Sequence, residues 1–204
     1  MRRIPLSRRS HIIGFQVLPE GLTEHESALE RDFVTLAAFT DPAAKITPQP
    51  VTIAFRHAGI ARRYTPDYLV RWSSGRLELV EVKYRSDLRK QWHRLRPAFS
   101  AAKAWCNAHE AQFRIATDRS IRGVPLANIK RLLPLRTAYL DVATAAKIVA
   151  LLATSSNATL ASVIAALPGD RATTLGAIWR MIARGVLRTD LSAPLDMNAS
   201  VALA

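Results

Sequence analysis

Behind a candidate cap at Ser27, the apolar residues Leu29, Phe33 and Leu36 recur at helical spacing, and the pattern predicts a first helix over 23–39 with Glu30 near its start. Proline-rich residues 42–50 break it. The segments VTIAFRH (51–57) and RRYTPDYLVRW (62–72) then read as β-rich around a turn at Ala58-Gly59, and a third strand follows in RLELVEVKY (76–84). Residues 86–110 form a basic helical region interrupted at Arg96-Pro97; QFRIAT (112–117) reads as a strand and LANIKRLL (126–133) as a helix. Helix, three strands, helix, strand, helix is the order of an α/β domain, a sheet flanked by helices.

From Thr137 the composition shifts to Ala, Leu and Thr. Helical patterns cover 141–153, 157–166 and 171–184, the last stopped by Gly185, and a short VLRTDL strand (186–191) and a return strand near 200 follow. Three helices and a small hairpin, with Pro168-Gly169-Asp170-Arg171 as the turn, predict a small winged helix-turn-helix domain over 137–204 after a larger α/β domain over 1–136.

Within 64–85 the loop Ser73-Ser74-Gly75 suits a three-residue hairpin, whose last position is left-handed and favours glycine. That register pairs Trp72 with Arg76. Continued outward, it sets Asp67 opposite Glu81 with Cβ atoms ~5 Å apart, Lys83 sharing their face. Tyr68, Val70, Val80, Val82 and Tyr84 point the other way, toward a covering helix. A loop one residue shorter or longer would put the two acids on opposite faces.

Facing carboxylates repel unless a positive charge sits between them, and a metal ion answers that need. Hard oxygen donors suit Mg²⁺, with Mn²⁺ as a substitute, and a nearby Lys can polarise water or stabilise charge on a phosphate. Taken alone, Glu81-x-Lys83 is also the pattern of a solvated strand face, and Pro66-Asp67 that of a strand entry. Glu30 has a second reading too, because Ser27-x-x-Glu30 is a capping box. The helical pattern does not choose between cap and ligand.

Charge sharpens the picture. The chain of 204 residues carries 29 Lys and Arg against 16 Asp and Glu, a formal net charge of +13, which points to a polyanionic partner. Residues 1–136 hold +12 of it and residues 137–204 only +1. The run Arg85, Arg89, Lys90, Arg94 and Arg96 follows the acidic cluster directly, which favours phosphate contact over a merely solvated helix face. No apolar run approaches the ~20 residues of a membrane span, and the apolar patches of MRRIPLSRRSHIIGF are too short for a signal peptide, so a cytoplasmic, DNA-associated protein is expected. The single cysteine, Cys106, is expected in the core, and the five histidines lack metal-ligand spacing.

Several segments in order resemble the TnsA-type endonuclease subunit of heteromeric cut-and-paste transposases. These are Ser27-Ala-Leu-Glu30-Arg-Asp-Phe33, Gln49-Pro50-Val51, Arg63-Tyr-Thr-Pro66-Asp67-Tyr-Leu-Val70 and Val80-Glu81-Val-Lys83, followed by Thr117-Asp118, Ile121-Arg122 and Asn128-Ile-Lys130. The resemblance spans roughly 8–136 and is weaker beyond. It implies a restriction-endonuclease-like fold of the PD-(D/E)xK class in a prokaryotic protein. It also implies Glu30, Asp67 and Glu81 as metal ligands with the Val82 carbonyl, and Lys83 as the catalytic lysine; DNA contacts are expected from Arg63, Arg85, Arg89, Lys90 and Arg94. The family cuts double-stranded DNA at the 5′ ends of the transposon beside a DDE-type transposase, TnsB, while an AAA+ ATPase, TnsC, docks on its C-terminal domain. The nearly neutral C-terminal part fits protein docking, although Arg171, Arg180 and Arg184 could touch DNA. Two rivals share the pattern: a stand-alone restriction or repair nuclease, and a non-catalytic winged-helix DNA-binding protein.

Overall fold

The structure is a computed structural model that describes residues 14–18, 21–25, 27–155 and 157–204. The reading of a leader-free N-terminus falls mostly on residues 1–13, outside the described residues. The chain divides into two compact units, Met1–Arg122 and Gly123–Ala204.

The first unit begins with an antiparallel hairpin of β1 (Gly14–Leu18) and β2 (Gly21–His25) and continues with helix α1 (Ala28–Thr40). Ser27 caps α1 by accepting the Glu30 N–H, and residues 23–25, expected at the start of the helix, are strand. After α1 come β3 (Lys45–Pro48), β4 (Ile53–His57), β5 (Ile60–Tyr64), β6 (Tyr68–Arg71), β7 (Leu77–Lys83), α2 (Arg85–Ala108), β8 (Ala111–Thr117) and the short α3 (Asp118–Ile121). The main sheet runs β3-β6-β7-β8: the first three are antiparallel neighbours, and β8 lies parallel to β7 across the α2 crossover. β4 and β5 pair as a separate ribbon.

The fold class is therefore a mixed α/β sheet with flanking helices. β7 is buried through its five central residues, as a strand covered on both faces must be. Tyr68, Val70, Val80 and Val82 share one face; Phe33 of α1 packs on Tyr68 with ring centroids 5.6 Å apart. Leu79 lies on the other face, in a cluster with Ile53 and with Ala102 and Cys106 of α2. Cys106 is thus a core residue, as its solitary position suggests.

One expectation needs correction and one gains detail. The basic region does not break at Arg96-Pro97: α2 is one helix of 24 residues with Pro97 inside it. The proline removes the hydrogen bond to the His93 carbonyl, but His93 is exposed, so water can satisfy that group. The proline-rich 42–50 segment does end α1, and it also holds a strand: among the described residues β3 pairs only with β6, and Pro48 stands at its end, where a missing N–H is tolerated.

In the second unit, α4 (Val124–Leu132) buries Leu126, Ile129 and Leu132 and packs on α7. A 3₁₀ turn follows, then α5 (Val142–Ala153), β9 (Ala158–Thr159), α6 (Leu160–Ala166), α7 (Arg171–Ala183), β10 (Leu187–Arg188) and β11 (Ser200–Leu203). Asp141, Thr159 and Asp170 cap α5, α6 and α7 with side-chain oxygens. Gly185 at φ +72° ends α7, and the strands form a small sheet in the order β10-β11-β9. This is a small helical and β region, its three helices near their expected bounds. No helix among the described residues is long and apolar enough to cross a membrane.

A brace closes the first unit beside the end of β7. The Arg122 guanidinium donates from Nε to buried Asp32 of α1 at 2.9 Å and lies over the Tyr84 ring, 5.4 Å from its centroid. Since Arg122 is itself partly solvated, Arg122→Ala is expected to cost about 1–2 kcal/mol, measured as the shift in urea midpoint at unchanged m-value.

Candidate active site

The geometry of the site starts at one loop. Gly75 at φ +84° allows its N–H to reach the Trp72 carbonyl at 2.9 Å, and the Trp72 N–H donates to the Arg76 carbonyl at 2.9 Å. The Arg76 guanidinium lies over the Trp72 ring, 5.3 Å from its centroid. From that closed end the pairs run Arg71 with Leu77, Val70 with Glu78, Leu69 with Leu79 and Tyr68 with Val80. The three-residue loop and the register drawn from the sequence both hold. One step further stands Asp67, immediately before β6, and its Oδ2 accepts the Val82 N–H at 2.7 Å.

Glu81 is buried, 3% exposed, yet both of its oxygens are occupied. Lys83 Nζ donates to Oε1 at 2.7 Å and the Tyr64 hydroxyl donates to Oε2 at 2.7 Å. Alternation explains the first contact, since residues two apart in a strand share a face. Tyr64 comes from the end of β5 and was not singled out in the sequence. The signal available was its place three residues before Asp67, but its reach to Glu81 depends on how the β4–β5 ribbon folds back.

The acids burden one another. Burial, then the charge of Glu81, then that of Glu30 push the Asp67 carboxyl well above the usual carboxylate range, against the Val82 N–H and Lys83, which lower it. Burial pulls the Lys83 ammonium down, but Glu81, by charge and hydrogen bond, and Asp67 outweigh it and hold the group above its ordinary value. Lys83 is thus a firmly charged ammonium. Burial and Glu81 likewise raise the Tyr64 phenol, which stays a hydrogen-bond donor.

Glu30 enters by its field and by a local bond. The Ser27 hydroxyl donates to Glu30 Oε1 at 2.8 Å while Ser27 Oγ accepts the Glu30 N–H at 3.2 Å. Glu30 therefore takes part in the helix start, and its charge still reaches Asp67. Of the expected DNA contacts, Arg63 is exposed on β5, and Arg89, Lys90 and Arg94 are exposed on the first half of α2. Arg85 is half-buried at the helix start, where its N–H donates to Asp118 Oδ1 at 2.7 Å.

Among the described residues, no three His, Cys, Asp or Glu side chains already form a cage for a cation. The donor chemistry nevertheless fits a hard divalent ion that keeps much of its water and needs only one or two carboxylates. Asp67 Oδ1 accepts no hydrogen bond among the described residues, and the crowding of acids around Asp67 is the load that a cation relieves.

Residues 41–118 match the family model described as TnsA-like endonuclease N terminal. Asp67, Glu81, Val82 and Lys83 lie inside that stretch with Tyr64, Arg63 and the basic half of α2, whereas Glu30 lies outside it. No curated protein matches the chain.

Tyr64→Phe removes one of the two donors to a buried carboxylate. It is expected to lower stability by roughly 1.5–3 kcal/mol in urea unfolding, as for a lost hydrogen bond to a charged group. It is also expected to weaken Mn²⁺ binding by about tenfold or more in a calorimetric titration, as loss of an outer partner does.

Proposed function

From a chain whose residues 41–118 match the TnsA-like endonuclease N-terminal model, we propose a Mg²⁺-dependent DNA endonuclease that cuts the 5′ ends of a transposon. It works with a DDE transposase of the TnsB kind and an AAA+ regulator of the TnsC kind. The observation that carries the reading is the meeting of Asp67 with the β7 backbone at Val82, one residue from buried Glu81 and its partner Lys83. The four-stranded sheet between α1 and α2 supports a restriction-endonuclease-like fold over the nuclease domain, taken as residues 1–136.

Asp67 and Glu81 would hold the cation with the Val82 carbonyl, and Glu30 would complete the set from α1. A divalent ion bound there acidifies water and offsets charge on the phosphate. The chain's own residues supply the rest. The Val82 N–H fixes one Asp67 oxygen and leaves the other for binding. Tyr64 and Lys83 hold the Glu81 carboxylate in one orientation. Lys83, kept protonated by its acidic neighbours, brings a positive charge to the side where the scissile phosphate gains negative charge. Water adds to phosphorus, the 3′ oxygen leaves with a proton, and a 5′-phosphate and a 3′-hydroxyl result. Exposed Arg63, Arg89, Lys90 and Arg94, with Arg85, contact the DNA backbone.

The second unit suits a winged helix-turn-helix module in residues 137–204, with α6, the 168–171 turn and α7 followed by β10 and β11. The near-neutral charge of residues 137–204 favours docking to the ATPase over gripping phosphate.

The test is cleavage of transposon-end duplex by the chain with its cognate partners and Mg²⁺. Asp67→Ala is expected to cut more than about 100-fold slower, beyond the cost of an outer partner. Equal cutting by wild type and variant would sink the assignment, while sequence-indifferent cutting by the purified chain alone would favour a stand-alone nuclease.

A further inference from the structure

The β4–β5 ribbon carries more positive charge than the single Arg63 contact of the proposed chemistry uses. Residues 53–64 contain Arg56, Arg62 and Arg63 and no acid. The ribbon register pairs Ala54 with Arg63 and Arg56 with Ala61, so these four side chains share one face. All four are exposed. Arg56 and Arg63 stand on the diagonal of that face, ~7–8 Å apart at their bases, and the alanines on the other diagonal are too short to cover them. The same residues help line a shallow open depression.

Like charges on one face of a two-stranded ribbon are destabilising unless neutralised. Among the described residues neither Arg56 nor Arg63 meets a carboxylate, and the Arg56 guanidinium donates only to the Gly59 carbonyl, at 3.0 Å, across the turn. No described carboxylate answers these two charges, and a polyanion would. The ribbon's opposite face holds Ile53, which is buried, and Tyr64, which reaches Glu81, and the ribbon packs on α2. Its position is thus tied both to the acidic cluster and to the basic helix.

We propose that the Arg56–Arg63 face of the β4–β5 ribbon is a duplex-DNA contact surface that grips the phosphate backbone beside the cut. A two-stranded ribbon is narrow enough for a major groove ~12 Å wide, and arginine forks match phosphate oxygens. Contact of the two guanidinium groups with phosphate oxygens supplies affinity and fixes position on the duplex. This surface deepens the nuclease reading and rests on it for the identity of the polyanion.

The experiment is fluorescence anisotropy of the full chain on a labelled duplex of arbitrary sequence in EDTA, where no cutting occurs, over a range of salt. Each lost phosphate contact lowers the slope of log affinity against log salt by about 0.9, so Arg56→Ala/Arg63→Ala should flatten it by about 1.8. Lys147→Ala/Arg188→Ala removes the same two charges from exposed positions in the second unit and is expected to change the slope by less than one contact. Equal flattening by the two double variants would overturn the proposal, because summed charge and not this face would then be responsible. An unchanged slope in Arg56→Ala/Arg63→Ala would overturn it alone, leaving the nuclease reading intact. Absence of salt-dependent duplex binding by the wild type would overturn both.

Discussion

The register of the β6–β7 hairpin is the constraint on which the acidic cluster depends. Because side chains alternate with a period of two, a slip of one residue would send Asp67 and Glu81 to opposite faces and leave Lys83 without its partner. Gly75 prevents the slip by taking a left-handed conformation that closes a three-residue loop, and Trp72 with Arg76 clamps the open side of that turn. The sheet is then committed, since a shifted β7 would also turn Val80 and Val82 away from α1 and set charge where α1 packs.

Burial makes this commitment costly and gives the acids distinct standings. Glu78 is buried but lies between Arg76 and Arg114, each 3.3 Å away. Asp32 has Arg122 at 2.9 Å, and Glu81 has Lys83 and Tyr64, both at 2.7 Å. Asp67 differs from all three. It receives one backbone N–H and otherwise faces the fields of Glu81 and Glu30, with Lys83 committed to Glu81. A group held in that state without added charge tends to take up a proton, and the proposed cation would replace that proton. The proposed function thus locates its chemistry at the one acid in this group that lacks a cationic side chain of its own.

Around the cluster, the elements that shape the site also extend the surface available to DNA. Asp118, from the turn after β8, caps the start of α2 by accepting the Arg85 N–H, so the basic half of that helix begins directly after Lys83 and Tyr84. The β4–β5 ribbon ends in Tyr64, so the residue that steadies Glu81 adjoins Arg63 in the chain. The DNA contact proposed for Arg63 would therefore share a strand with the group that steadies Glu81.

The sequence by itself determined the elements whose information is local. Period-two alternation with a glycine-ended loop fixed the β6–β7 pairing, and Ser27 as cap with the helical spacing beyond it fixed α1, although the pattern began the helix five residues too early. The composition shift at Thr137 and the stop at Gly185 outlined the later helices in the same way. What only the tertiary structure decided rests on contacts between residues distant in sequence. Pairing of Lys45–Pro48 with β6, continuity of α2 through Pro97, the parallel setting of β8 and the reach of Tyr64 to Glu81 leave no periodic trace in the chain. Glu30 shows the limit most plainly. A bond at the helix start and a charge acting on Asp67 require the same residue at the same helical position, and only the folded structure gives Glu30 both the Ser27 hydroxyl and a field at Asp67.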